Sequence, residues 1–339
     1  MAERKDIKAA AIASRAERRR AKEAKRAKKR ARRGSRYEAD GATLKGTLVA
    51  LLIIIAFCAV LAGIIWLCGG FEGSEPGEPA HATVPEGVVN VHFIDVGQAD
   101  CVLIECADGA IMIDAGENDD FQKIAAYLND RGIERLNCVI GTHAHADHMG
   151  GMDGVILKYR VDELIIPTGA SGEKFYTDVI DAAKRRNVPA RTASEGETLK
   201  FPLGTLEVLD DGSELLDDLN DNSYILKFTY GETTFLFTGD AGDNYEREMI
   251  AKGEDLDVDV LKVAHHGSRS STCDEFIAAT TPDYAIIQVG RDNSYGHPSK
   301  ETFSRLVRAG AGVYRTDKLG DIVVTTDGKE ISITYDKED

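Results

Sequence analysis

Leu136-Asn137-Cys138-Val139-Ile140-Gly141-Thr142-His143-Ala144-His145-Ala146-Asp147-His148-Met149-Gly150-Gly151 is the stretch from which the rest of the chain is read. Its first six residues are an apolar run of the kind that forms a buried strand. The next seven hold three imidazoles and a carboxylate, which suits a loop at the carboxyl end of that strand. In open α/β sheets this edge is where ligands sit. His143 and His145 can grip one cation from a tight loop, while Asp147 and His148 point to a second beside it. Neutral imidazole with carboxylate suits Zn²⁺ or a harder ion such as Mn²⁺. The whole chain has eight histidines in 339 residues, so three within six positions mark a built site.

Two later segments repeat the pattern of strand and polar tip. Phe235-Leu236-Phe237-Thr238-Gly239-Asp240 ends an apolar run with a carboxylate. One carboxylate shared by two cations holds them at the roughly 3.5–4 Å spacing of two-metal hydrolases. Leu261-Lys262-Val263-Ala264-His265-His266-Gly267-Ser268 ends another run with a histidine pair. His265 is the expected ligand of the second cation, with His266 orienting a ligand or meeting substrate; the reverse order fits the spacing too.

Around these segments, strands are expected at 88–96, 101–106, 110–114, 163–166, 206–209, 224–230, 233–238, 258–264 and 284–289. Helices are expected at 119–130, 149–159, 174–186, 244–251, 274–280 and 300–309, and short strands close the chain near Tyr335. Strands that meander and then alternate with helices, in two similar halves, predict an α/β fold of two facing sheets with helices outside.

Charge divides the chain. Residues 1–45 hold 17 of the 41 Lys+Arg and 6 of the 57 Asp+Glu, a net of +11. Residues 46–71 carry no charge, and the remainder has 24 basic against 51 acidic residues, a net of −27. The basic arm has almost no apolar face and cannot build a core. The uncharged segment is long enough to span a bilayer, with Trp66 near its far end, where an indole favours the interface. A cleaved signal peptide does not suit a 45-residue charged leader, and bulky Leu67 argues against Cys68 as a lipidation site. Residues 1–45 thus read as a cytoplasmic arm, 46–71 as a single-pass transmembrane signal anchor, and 72–87, with Pro76, Pro79 and Pro85, as an extracytoplasmic tether. Residues 88–339 form the folded domain outside. The six cysteines make no C-x-x-C pair; buried free thiols are expected, and export leaves room for a disulfide whose pairing spacing does not reveal.

His143 to His148, Thr238-Gly239-Asp240 and His265-His266-Gly267-Ser268 resemble the motifs of metallo-β-lactamase-fold hydrolases. With Phe93-Ile94-Asp95-Val96-Gly97-Gln98-Ala99-Asp100, Asn222-Ser223 and Tyr295-Gly296-His297-Pro298, the set is similar to the hydrolase domain of the competence DNA-uptake protein ComEC and its free-standing relatives. The resemblance covers roughly Val88 to Tyr335. It implies a four-layer αβ/βα sandwich with two divalent metal ions, zinc or manganese. His143, His145, Asp147, His148, Asp240 and His265 would be the ligands. Asp114 would be a buried carboxylate behind the loop, and Asp95, Asn222, His266 and Ser268 would support the ligands or meet substrate. His297 would face the substrate pocket, and Asp147 would assist proton transfer. His92, inside the first strand, reads as structural.

The chain departs from that pattern in three ways. Many relatives place a further histidine on the first metal between the first loop and the shared aspartate, and here no histidine lies between His148 and His265. An oxygen of Asp221 or Asn222, or water, would then complete that site. Ala99 stands where relatives carry glycine. One apolar segment replaces the many membrane helices of the uptake channel, so conduction of DNA by this chain alone is not expected. The implied activity is metal-dependent hydrolysis of a phosphodiester, in DNA or in a cell-envelope polymer such as one bearing choline phosphate. β-Lactam hydrolysis and a non-catalytic binding domain are the weaker readings, and oligomeric state is not legible.

Overall fold

The computed structural model describes residues 84–169, 172–202, 204–213 and 218–337. The basic arm and the expected anchor at 46–71 lie outside the described residues. Among those described, no helix is long and apolar enough to cross a membrane. They belong to one compact unit, Ala80–Asp339.

The first sheet is built from β1 (Val89–Phe93), β2 (Val102–Cys106), β3 (Gly109–Ile113), β5 (Cys138–Ile140), β7 (Leu164–Ile165), β8 (Ala190–Arg191), β16 (Ile322–Thr326) and β17 (Ile331–Tyr335), in the order β17-β16-β1-β2-β3-β5-β7-β8. The second holds β9 (Thr198–Phe201), β10 (Gly204–Asp210), β11 (Ile225–Tyr230), β12 (Thr233–Phe237), β13 (Val260–Lys262), β14 (Tyr284–Ile287) and β15 (Gly312–Arg315), in the order β15-β14-β13-β12-β11-β10-β9. A two-stranded ladder joins β4 (Arg135–Leu136) to β6 (Arg160–Val161).

Side-chain alternation explains why these sheets face each other. Val89, Val91, Phe93, Ile104, Ile111, Ile113 and Ile140 join Leu226, Phe228, Phe235, Phe237, Val260 and Ile286 in one core between the sheets. The intervening residues point the other way, as period-2 strands require. Leu103, Met112 and Val139 pack under helices α1 (Phe121–Asp130), α3 (Met152–Lys158) and α4 (Lys174–Arg186) through Ile124, Leu128, Val155 and Val179. Ile225, Leu236 and Leu261 pack under α5 (Asp243–Lys252) and α6 (Asp274–Thr280), and Ile287 packs with Leu306 of α7 (Lys300–Ala309). The result is helix, sheet, sheet, helix. His92 points into the helix layer, fully buried, between Glu105 and Tyr127 at 3.0 Å each, which is a structural role.

One expected helix is broken. Residues 149–159 split into a four-residue turn of helix, α2 (Ala146–Met149), and α3. Gly150 and Gly151 lie against the loop that follows β3: a Cβ on Gly151 would stand 2.3 Å from the Ala115 carbonyl oxygen. The glycine pair lets two loops touch where a side chain would part them. The four cysteines of the described part, Cys101, Cys106, Cys138 and Cys273, are free.

Candidate metal centre

β3 and β5 run parallel, as do β12, β13 and β14, so their carboxyl ends collect at one mouth between the sheets. Asp114 follows β3, the histidine loop follows β5, Asp240 follows β12, and His265 and His266 follow β13.

Asp114 organises the first loop. Its carboxylate accepts from the Thr142 backbone N–H and hydroxyl, each at 2.8 Å, and from His148 Nδ1 at 2.8 Å. With Nδ1 donating, His148 presents the Nε2 lone pair to the mouth. That Nε2 stands 3.3 Å from Asp240 Oδ1 and 4.0 Å from Asp147 Oδ2. His143 Nε2 and His145 Nδ1 are 3.0 Å apart, close to the spacing of neighbouring ligands on one ion with bonds of about 2.0–2.1 Å.

Asp240 is held by its backbone, whose N–H donates to Ser223 Oγ at 3.1 Å. Gly239 has φ 49°, and a Cβ there would meet Ser223 Oγ at 2.7 Å, so glycine is required twice over. His265 and His266 are both left-handed, at φ 49° and 51°, a costly conformation for side-chain-bearing residues that clusters at functional sites. The turn aims the two rings differently. His266 is buried; its Nδ1 lies 3.0 Å from the Gln288 carbonyl oxygen, and its Nε2 faces Asp147 Oδ2 at 3.3 Å and Asp240 Oδ2 at 3.6 Å. His265 is partly exposed, with Nε2 3.8 Å from Asp240 Oδ2.

Ligand atoms of Asp147, His148, Asp240 and His266 all fall within 4.8 Å of one another. The backbone turn puts His266 in this group and His265 on its rim, with Nε2 3.8 Å from Asp240 Oδ2, the order of the pair that the spacing also allowed. Asp100, Asp114 and His148 also lie within 4.8 Å, but the Asp100 carboxylate pairs with the buried Lys262 ammonium and His148 Nδ1 is committed to Asp114. That second group is the support of the first.

Without metal, protons on His148 and His266 balance the surrounding carboxylates, and a divalent cation would take the place of those protons. Burial alone would lower His148 and His266, yet the surrounding carboxylates, Asp240 foremost, raise both, His266 to about 10. Burial would raise Asp147 and Asp240, yet the imidazoles hold both below the usual carboxylate range. His148 Nε2 and Asp240 Oδ1 are buried and have no hydrogen-bond partner. Buried polar atoms need a partner, and one cation between these two supplies it. The residues present fit divalent metal.

Other expected residues fall nearby in different ways. His297 packs edge-on to His265, with ring centroids 5.6 Å apart, and burial pushes its imidazole down to about 4. Ser268 shapes the loop, its Oγ 3.0 Å from Ser270 Oγ. Asp221 Oδ1 accepts from the Gly242 N–H at 2.8 Å, and buried Asn222 lies in the same short turn, Leu219–Asn222. Asp95 accepts from the Gly97 N–H at 3.3 Å, and its own N–H donates to Asp321, so it forms a turn and does not join the cluster. Asp100 and Lys262 were not anticipated. Their signal was a lone lysine in the apolar run Val260-Leu261-Lys262-Val263, on the face that Val260 turns to the core.

Fold and site together define an αβ/βα sandwich with a buried cluster fit to hold divalent metal. The sequence pattern of the Metallo-beta-lactamase superfamily matches residues 94–291, and the chain belongs to that superfamily. Among curated relatives it is 30% identical to ComE operon protein 3 of Bacillus subtilis (strain 168) over 250 residues, 68% of this chain and 32% of that protein. It is 29% identical to competence protein ComA of Neisseria gonorrhoeae over 285 residues, 79% of this chain and 38% of that protein. The chain thus spans about a third of the length of the competence-type relatives it matches. Among solved structures, the metallo-beta-lactamase fold protein YhfI from Bacillus subtilis aligns with 73% of this chain and 100% of its own, at 11% identity and a TM-score of 0.46.

Proposed function

We propose that this chain is a membrane-tethered, metal-dependent phosphodiesterase acting outside the cytoplasm, with a polynucleotide as its substrate. The observation that carries the reading is the buried cluster of Asp147, His148, Asp240 and His266 with its unpartnered His148 Nε2 and Asp240 Oδ1. Likeness to competence proteins supports the choice of substrate.

His143 and His145 would hold one ion and Asp147, His148 and His266 the other, with Asp240 between them. Bound there, divalent ions supply Lewis acidity and an activated water. Asp114 and the Gln288 carbonyl fix the tautomers of His148 and His266 so that each turns Nε2 inward. Asp147 is the carboxylate of the group open to solvent, with a side chain 29% exposed, so it can pass a proton to bulk water. His297, beside His265 at the rim, is placed to meet substrate. The two carboxylates among these ligands, Asp147 and Asp240, would admit a harder ion such as Mn²⁺ more readily than an all-nitrogen set.

A second reading, hydrolysis of a cell-envelope phosphoester, is favoured by the net −27 of residues 72–339, since nucleic-acid binders usually present a basic surface. The test strips the full-length protein with chelator, restores Mn²⁺ or Zn²⁺, and measures bound metal and turnover of bis(p-nitrophenyl) phosphate, oligonucleotide and a choline phosphodiester. Metal-dependent cleavage that is lost in a folded Asp240→Ala variant is expected. Undiminished turnover by metal-free protein would sink the mechanism, and turnover of the choline ester alone would select the second reading.

A further inference from the structure

Beyond the metal cluster, the loop between β14 and α7 carries an aromatic side chain that the reaction leaves unused. Tyr295 is 72% exposed, the most open of the large apolar residues among those described. Its ring lies on His297 at a centroid distance of 5.8 Å and an interplanar angle of 28°. His297 in turn lies over His266 at 6.4 Å and 29°. Three rings, each tilted less than 30° from the next, therefore step outward from a proposed metal ligand to solvent.

The loop holding them is braced. Asn293 Oδ1 accepts from the His297 N–H at 3.0 Å, and Asn293 Nδ2 donates to the carbonyls of His297 at 2.6 Å and Gly290 at 2.9 Å. An exposed aromatic on a braced loop keeps its outer face presented without an ordering cost at binding. Charge along the same segment opposes that of the rest of the folded part. Residues 291–318 hold six Lys+Arg against three Asp+Glu, within a region of net −27. Arg291 and Lys300, on either side of Tyr295, are exposed.

We propose that Tyr295 is a stacking platform for a nucleobase next to the scissile phosphodiester, on a single strand whose bases are free to leave their own stack. This rests on the phosphodiesterase reading above and names its substrate class. A planar base on the outer face of Tyr295 continues the ring series outward from the cluster. Stacking on aromatic side chains tolerates any base because every base has a π face, so the platform selects single-stranded polynucleotide without selecting sequence. A choline headgroup also binds aromatic faces, by cation–π attraction, so the comparison of based with abasic oligomer is what isolates base stacking.

The test uses full-length, Mn²⁺-loaded protein and two oligomers of equal length and phosphate count, oligo(dT) and its fully abasic analogue. Truncating a base-stacking side chain costs about 5- to 100-fold, and one exposed ring belongs at the low end. Wild type is expected to prefer oligo(dT) about 5- to 10-fold in kcat/KM. Tyr295→Ala should bring that ratio to about one, and Tyr295→Trp should keep or raise it. A ratio unchanged by Tyr295→Ala overturns the platform, as does an equal loss on both oligomers, which marks support of His297. Wild type that cleaves both oligomers equally refutes the platform and leaves the nuclease reading standing. Wild type that cleaves neither, while turning over the choline ester, refutes both.

Discussion

Replacing Lys262 by methionine tests how the cluster is electrostatically supported. Lys262 is 3% exposed, its ammonium pairs with Asp100, itself 1% exposed, and its Nζ donates to the Gly239 carbonyl at 3.2 Å. Asp240 and Asp114 also act on it, so Lys262 is a fixed positive charge beneath three carboxylates. Burial pushes the ammonium down and Asp100 pulls it back above its ordinary value, while burial raises Asp100 and Lys262 brings it below its own; the two shifts agree that both groups are charged. Removing one partner of a buried pair costs about 3–5 kcal/mol, because the other charge is left without compensation. Against a total of about 5–15 kcal/mol that is a large share. The expected result for metal-free Lys262→Met is therefore a loss of that size in urea unfolding. Far-UV circular dichroism is the readout, since the only tryptophan, Trp66, lies in the apolar segment. Divalent cations should then restore more stability than in wild type. A tenfold tighter Kd adds about 1.4 kcal/mol at saturating metal. Asp100→Asn in the Lys262→Met background should cost far less than in wild type, or recover part of the loss. Additive losses in that cycle would refute the coupling.

Three further outcomes follow from the geometry. His266→Ala should lose one bound metal and nearly all turnover, whereas His265→Ala, at the rim, should keep its metal and lose about 10- to 100-fold; metal analysis showing the opposite order would reverse their roles. Glu246 is buried, and burial raises its carboxyl to about 7 although it accepts from the Cys273 N–H at 2.8 Å and the Thr272 N–H at 2.5 Å. Between an unfolded value of about 4.3 and 7 the folded state keeps a proton that the unfolded state releases, so stability falls as pH rises through that window, by roughly 4 kcal/mol. Glu246→Gln gives up one acceptor but should flatten this slope, and urea midpoints from pH 4.5 to 8 that stay parallel in both proteins would contradict it. Protease added to intact spheroplasts should cut at 72–87; cleavage there only after permeabilisation would invert the proposed topology.

Much of the fold was legible because its cause is local. Alternation in Val89–Phe93 and Thr233–Phe237 already separates an inter-sheet face from a helix face. The two-residue strands β4, β6 and β8 left no periodic signal, since a strand that short is defined by its neighbour and not by its own sequence. The break at Gly150-Gly151 was hidden for a similar reason: the obstacle is the Ala115 carbonyl, far away in sequence.

The sequence by itself determined the residue types of the site, the strands that carry them and the membership of the superfamily, because histidine spacing and strand period are properties of short segments. The uncharged run at 46–71 is equally a fact of sequence. Only the tertiary structure separates the His265 and His266 rings, because two adjacent left-handed residues send them in directions that spacing does not encode. It alone paired Asp100 with Lys262, two charges brought together from different sheets. It alone stacked Tyr295 on His297 and His297 on His266, since ring planes meet across loops whose course is set by packing.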